Sequence, residues 1–162
     1  MTMAGVEKWH PVFGTLTRDQ SEDEVWWDGH VALPGLARRC AVMVMDAGTE
    51  GPTAAQAAAM RRILDSAAEI RRLATAPLIA SHQAIGLLPL AAAADPDRIW
   101  DVLDPEWIEV ADPRQGNDGR IAVALMFGST QHAIFAWAIE TLDGVFDRVE
   151  LYDAPDEPED AL

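Results

Sequence analysis

Four histidines, one cysteine and 27 carboxylates are the groups in this 162-residue chain with which chemistry could be done. His10, His30, His82 and His132 show neither His-x-x-x-His nor His-Glu-x-x-His spacing, so a metal site would need the fold to gather them beside a carboxylate. His10 and His30 could meet if the first two strands pair; otherwise the histidines read as ordinary surface or boundary residues. Cys40 has apolar residues two positions on, which predicts a buried, inert thiol. Ser21, Ser66, Ser81 and Ser129 lack the Gly-x-Ser-x-Gly elbow of a hydrolase. Ser81 and His82 are neighbours on an expected helix, so their side chains diverge by about 100°. The glycines have no phosphate-loop context. No catalytic residue, metal ligand or cofactor is therefore assigned.

The carboxylates fall into two groups. Glu22, Asp23, Glu24 and Asp28 surround an expected hairpin, and Asp101, Asp104, Glu106 and Glu109 surround an expected short helix. General acid–base work needs a sheltered pair whose environments separate its pKa values, and the sequence indicates no shelter. Solvated faces are the expectation. Trp26 and Trp27 add something to the first group. Adjacent residues of a strand point to opposite faces, so one indole enters the core and the other lies nearer the surface between Glu24 and Asp28. An aromatic ringed by acids suits a basic partner.

Charge is the strongest global signal. Twelve basic residues against 27 acidic ones leave a net charge of −15. Residues 38–72 hold six arginines and four acids, so the excess of acid lies outside them. Such a surface repels nucleic acid and anionic membranes and attracts basic proteins; it also serves plain solubility. No apolar run reaches the ~18 residues of a membrane helix, and the first residues lack a secretory pattern, so a cytoplasmic setting is expected. The single cysteine fits a reducing compartment.

The elements that must position these groups follow from periodicity. Residues 1–10 read as a loose arm, 11–152 as one domain, and 153–162 as an acidic, disordered tail. Short strands are expected over 12–17, 24–29 and 39–46. Gly51-Pro52-Thr53 starts a helix, with Thr53 and Gln56 spaced as a capping box. Met60, Ile63, Leu64, Ala67, Ile70 and Ala74 form its buried stripe, and Pro77 can open a second helix. Pro89 to Ala94 reads as a connector. Asp95 caps a short helix that Asp104-Pro105 stops, and Trp107 to Val110 reads as a strand. A C-terminal meander follows over 119–152, with turns at 128–130 and 143–144. Its first strand is apolar on both faces and is expected to be covered above and below. Residues 131–142 also fit a helix, but β-branched and aromatic content favours a strand. The fold class is α+β: a mostly antiparallel sheet, with two main helices inserted between an N-terminal three-strand unit and the meander.

Several stretches together resemble a family. They are Phe13-Gly14-Thr15-Leu16, Trp26-Trp27-Asp28-Gly29, Pro52 to Gln56, Trp107 to Val110, and the meander with His132 and Phe135. The pattern resembles bacterial domains of unknown function found among immunity proteins of polymorphic toxin systems. The resemblance implies a cytoplasmic, non-enzymatic protein that binds and neutralises a cognate toxin. The charge is compatible with a basic toxin whose functional surface the acids would occupy. Glu22, Asp23, Glu24, Trp26 and Asp28, with Asp101, Asp104 and Glu106, are the expected contact residues. Direct contact with nucleic acid or membrane is not expected, and a homodimer is compatible with the broad apolar strands. An acidic nucleic-acid mimic or regulatory adaptor for a basic protein, and a small hydrolase or metal-dependent enzyme, are the alternatives.

Overall fold

The structure, a computed structural model, describes residues 5–45, 50–114 and 116–153. Among the described residues, eight strands form one sheet whose spatial order follows the chain. They are β1 Glu7–His10, β2 Gly14–Gln20, β3 Val25–Leu33, β4 Ala37–Met45, β5 Leu103–Val110, β6 Ala122–Ser129, β7 Phe135–Leu142 and β8 Val145–Asp153. Every neighbouring pair is antiparallel except β4 and β5. A parallel pair needs a crossover. Here the crossover carries α1 Ala54–Asp65, α2 Ala67–Ala84, α3 Leu90–Ala94 and a 3₁₀ helix at Pro96–Val102. The α+β architecture expected from the sequence is the one observed.

Thr53 and Gln56 form the capping box. The Thr53 hydroxyl accepts from the Gln56 N–H at 3.1 Å, and the Gln56 side-chain oxygen accepts from the Thr53 N–H at 3.0 Å. The same buried Gln56 then donates its amide to the carbonyls of Met45 (2.8 Å) and Ala111 (3.1 Å). Those carbonyls lie at the ends of the two parallel strands. One side chain thus starts α1 and ties β4 to β5.

The helices cover one face of the sheet. Val44, Val110 and Val123 fall in one cross-strand row, and Val42, Ile108, Leu125, Ile139 and Val149 in another, all by register. Except for half-buried Val149 these are buried, with Met60, Ile63, Ile70, Ala74 and Leu78 of the helices in the same core. Trp137 donates its indole N–H to Ser81 at 2.9 Å, and the Trp100 ring meets Phe127 edge-on at 5.8 Å. The β7–β8 hairpin turns through Asp143 and Gly144, both at positive φ (50° and 80°), the geometry of a type I′ turn. A Cβ on Gly144 would stand 2.6 Å from the Ala59 carbonyl oxygen and 2.7 Å from the Arg62 Cβ. Glycine is what lets this hairpin touch α1.

Several expectations are corrected. Glu7–His10 of the expected arm is a strand, so the N-terminal unit has four strands, not three, and the sheet begins before residue 11. The first long helix breaks at Ser66, not near Pro77: the Ser66 hydroxyl bonds the Arg62 carbonyl at 2.6 Å, and Pro77 lies inside α2. Leu90–Ala94 is helical, not a connector. The short helix ends at Val102, before Asp104-Pro105 as expected, but these two residues already belong to β5, where Pro105 stands at a bulge, a place in a sheet that tolerates a missing N–H. Gly128 and Ser129 extend β6 instead of turning, and β7 occupies 135–142. Of the expected tail at 153–162, Asp153 is the last residue of β8, and 154–162 lie outside the described residues. The most consequential correction concerns β6: its second face is not covered by a helix among the described residues, and Ala122, Ala124 and Met126 are half-buried.

Two substitutions test this framework. Gln56→Ala removes two buried bonds and half a cap, and should cost about 2–4 kcal/mol in urea unfolding. Gly144→Ala should cost about 2–3 kcal/mol, because alanine meets both the left-handed φ and the α1 backbone.

Candidate functional site: the uncovered sheet face

Register and the two-residue period place the remaining side chains on the uncovered face. One row crosses seven strands: Thr17, Asp28, Met43, Glu109, Ala124, Glu140 and Arg148. Carboxylates occur at every second strand from β3 to β7, with Met43 and Ala124 between them. The flanking row reads His30, Ala41, Trp107, Met126, Ala138 and Glu150. On the other side Asp19, Trp26 and Met45 are paired. The face thus combines half-buried Trp26, Trp107 and methionines with a line of acids.

Two pairs repeat the same arrangement. Trp26 and Asp28 lie two apart on β3, and Trp107 and Glu109 two apart on β5, all on this face. The Trp26 indole donates to Asp28 at 3.0 Å. Burial pushes the Asp28 carboxyl above its ordinary value, and the indole bond opposes that shift. Glu109 is exposed and makes no hydrogen bond or ion pair within the described residues. Glu140 is engaged: Arg148 donates to it at 2.9 Å and also pairs with Glu150 at 2.8 Å. The Tyr152 hydroxyl lies 3.1 Å from Glu140 and 2.8 Å from Glu150, and its bond to Glu150 is the main reason its pKa is raised.

Two cavities open on this face. One of about 620 Å³ runs from Trp107 and Glu109 over Ala122 and Ala124 to Arg148 and Tyr152. The other, about 250 Å³, lies between Asp23, Glu24, Met45 and Asp112. Glu109 and Ala111 line both, so the two adjoin across the strands from β3 to β8.

The residues expected to bind a partner are distributed as follows. Trp26 and Asp28 stand on the face, and Asp23 and Glu24 stand at its rim in the β2–β3 turn with Glu22. Asp104 is paired with Gly128 and shares its face; the Glu106 carboxylate also lies over Gly128. These two are at the opposite end of β5 from the hairpin, roughly 20 Å away at ~3.3 Å per residue. Asp101 is separate, exposed on the 3₁₀ helix and paired with Arg98 at 2.5 Å. Glu109, Glu140 and Trp107 are residues that the sequence reading did not assign to a partner; the repeat of Trp-x-acid in two strands was the available signal.

The histidines do not assemble. His10 pairs with Gly14 on the helix side, whereas His30 stands on the uncovered face beside Asp28's row. Among the described residues no group of three or more His, Cys, Asp or Glu could hold a metal ion. Cys40 is buried, and burial raises its pKa. His82 corrects the reading of the histidines as surface groups. It is 2% exposed, stacks on Trp137 at 4.1 Å and places Nδ1 2.7 Å from the Leu78 carbonyl. Its buried Nε2 has no hydrogen-bond partner among the described residues. Burial lowers its pKa, against the opposing Leu78 bond.

No helix of the described residues is long and apolar enough to cross a membrane. Comparison with protein-family models, curated proteins and solved structures finds no match.

His82 yields a prediction. Its folded pKa is depressed, so the stability it contributes is present above the unfolded value of 6.5 and is lost as pH falls below it. Urea unfolding at pH 7.5 and 5.5 should show lower stability at 5.5, and His82→Phe should reduce that difference.

Proposed function

We propose that this chain is a non-enzymatic, immunity-type protein that binds a basic protein partner, a toxin, on the uncovered sheet face and neutralises it by occlusion in the cytoplasm. The observation that carries the reading is a sheet face that no helix of the described residues covers, on which tryptophans and methionines lie among carboxylates. Apolar surface supplies affinity, and the acids steer a basic partner and exclude acidic ones. The net charge of −15 adds long-range attraction.

The spacing of the acids favours occlusion over nucleic-acid mimicry. Successive carboxylates in the central row are two strands apart, roughly 9.6 Å. A duplex presents a charge every ~3.4 Å of axis on each strand. The row is too sparse to imitate that density, but it suits individual cationic side chains.

Growth decides the matter. The adjacent gene is expressed alone, with this chain, and with the Trp107→Ala/Glu109→Lys variant. The expected outcome is arrest by the neighbour, rescue by the native chain, and lost rescue by a variant that keeps its circular dichroism spectrum. A harmless neighbour, or equal rescue by the variant, sinks the reading.

A further inference from the structure

We propose that the row Asp28, Glu109 and Glu140 receives one face of a basic helix of the partner, lying across the strands with arginines seven residues apart. This inference rests on the open face being the site for a basic partner. Spacing selects the helix. The carboxylates recur about every 9.6 Å, at two strand separations. Seven residues of α-helix rise ~10.5 Å and return to the same face within ~20°. An extended segment repeats its face every ~6.7 or ~13 Å and falls out of step. From Asp28 to Glu140 the row spans four strand separations, about 19 Å, which two heptads cover.

Backbone chemistry points the same way. The strands' own N–H and C=O groups pair with each other in the ladders, so the sheet face offers a docked segment few backbone partners. A helix satisfies its backbone internally; an extended chain on this face does not. The larger cavity supplies depth along the same cross-strand direction, with Ala124 between Glu109 and Glu140; between Asp28 and Glu109 the register places the adaptable side chain of Met43.

The molecule itself contains the contact that the helix would make. Arg71 lies over the Trp100 ring at 4.8 Å while its guanidinium pairs with Asp97 at 3.1 Å. Trp107 with Glu109 presents an indole and a carboxylate on one strand face, with the carboxylate unengaged within the described residues. A planar guanidinium can stack on an indole and fork onto a carboxylate together, which an ammonium cannot do. Glu109 is therefore the anchor and the residue that favours arginine over lysine. Glu140, already held by Arg148 and Tyr152, is the weaker receptor.

The test uses synthetic alanine-based helical peptides and the full chain at about 50 mM salt, where exposed charge pairs are little screened. One peptide carries three arginines at seven-residue intervals; a second spreads the same arginines around the helix; a third has lysines in the heptad positions. Calorimetry should give the heptad arginine peptide about tenfold tighter binding than the dispersed one and about threefold tighter than the lysine one. Glu109→Gln should weaken it about fivefold, and Asp65→Asn, exposed on α1 away from the uncovered face, should leave it unchanged. Equal binding of heptad and dispersed peptides, no binding of either, or no response to Glu109→Gln overturns the inference. A chain that rescues growth yet gives one of those results keeps its function and loses this docking geometry.

Discussion

The amide of Gln56 is the contact on which this architecture turns. An antiparallel meander closes with short turns, but the parallel join between β4 and β5 has no turn to hold it. Its strands are separated by the whole helical crossover, and the ends of both present carbonyls beyond the ladder. Gln56 donates to both ends, at 2.8 and 3.1 Å, while its own oxygen caps α1. A residue with a single polar atom could not serve all three. Met45 and Ala111, whose carbonyls it holds, also border the smaller cavity, with Glu109 beside them. The same amide that joins two half-sheets therefore fixes the middle of the candidate site.

An eight-stranded sheet with helices on one side leaves a large second face to account for. Solvated faces of antiparallel sheets are ordinarily polar at alternate positions. This one is not simply polar: alanines, methionines and two tryptophans hold its centre, and the acids lie in line among them. Asp28 illustrates the tension. Burial raises its pKa, so holding it ionised at neutral pH works against folding, and the Trp26 indole recovers only part of that. Asp28 stands in register with Glu109 and Glu140, and under the proposed function the three would receive opposite charges.

Much of the fold was legible because its signals are local. Thr53 and Gln56 announced the helix start, Asp143-Gly144 the hairpin, and Cys40, Val42 and Val44 a buried strand. What escaped was set by tertiary pairing. The alternation in Glu7–His10 is too short to announce a strand, and only β2 beside it makes it one. Asp104-Pro105 has the composition of a stop, yet a bulge lets proline enter β5. An apolar second face on β6 promised a covering layer; small and flexible side chains can have that pattern and still remain half-open. The candidate site was half legible. Trp26 and Asp28 stand where their strand period put them, but Glu109 and Glu140 join them only through the order of the strands, which a single sequence does not display.

The face is also where the sheet has binding energy left to offer. The two edges are guarded in the manner of proteins that avoid strand addition. β1 is only four residues long and carries Glu7, Lys8 and His10 around an exposed Trp9, and β8 carries Asp147, Arg148, Glu150 and Asp153 along its length. Strand addition at β8 would set a new chain against these alternating charges and against Arg148, which is already committed to Glu140 and Glu150. The helix-covered face has its tryptophans buried, with Trp27 and Trp137 at 1% and 0% exposure. Trp26, Trp107 and the methionines stay half-exposed on a broad, contiguous surface, with the more exposed Trp9 at its β1 edge. The proposed basic partner element, satisfying its own backbone, would cover them without breaking any existing pair, and would bring a cation to the Glu109 carboxylate, which is unengaged among the described residues.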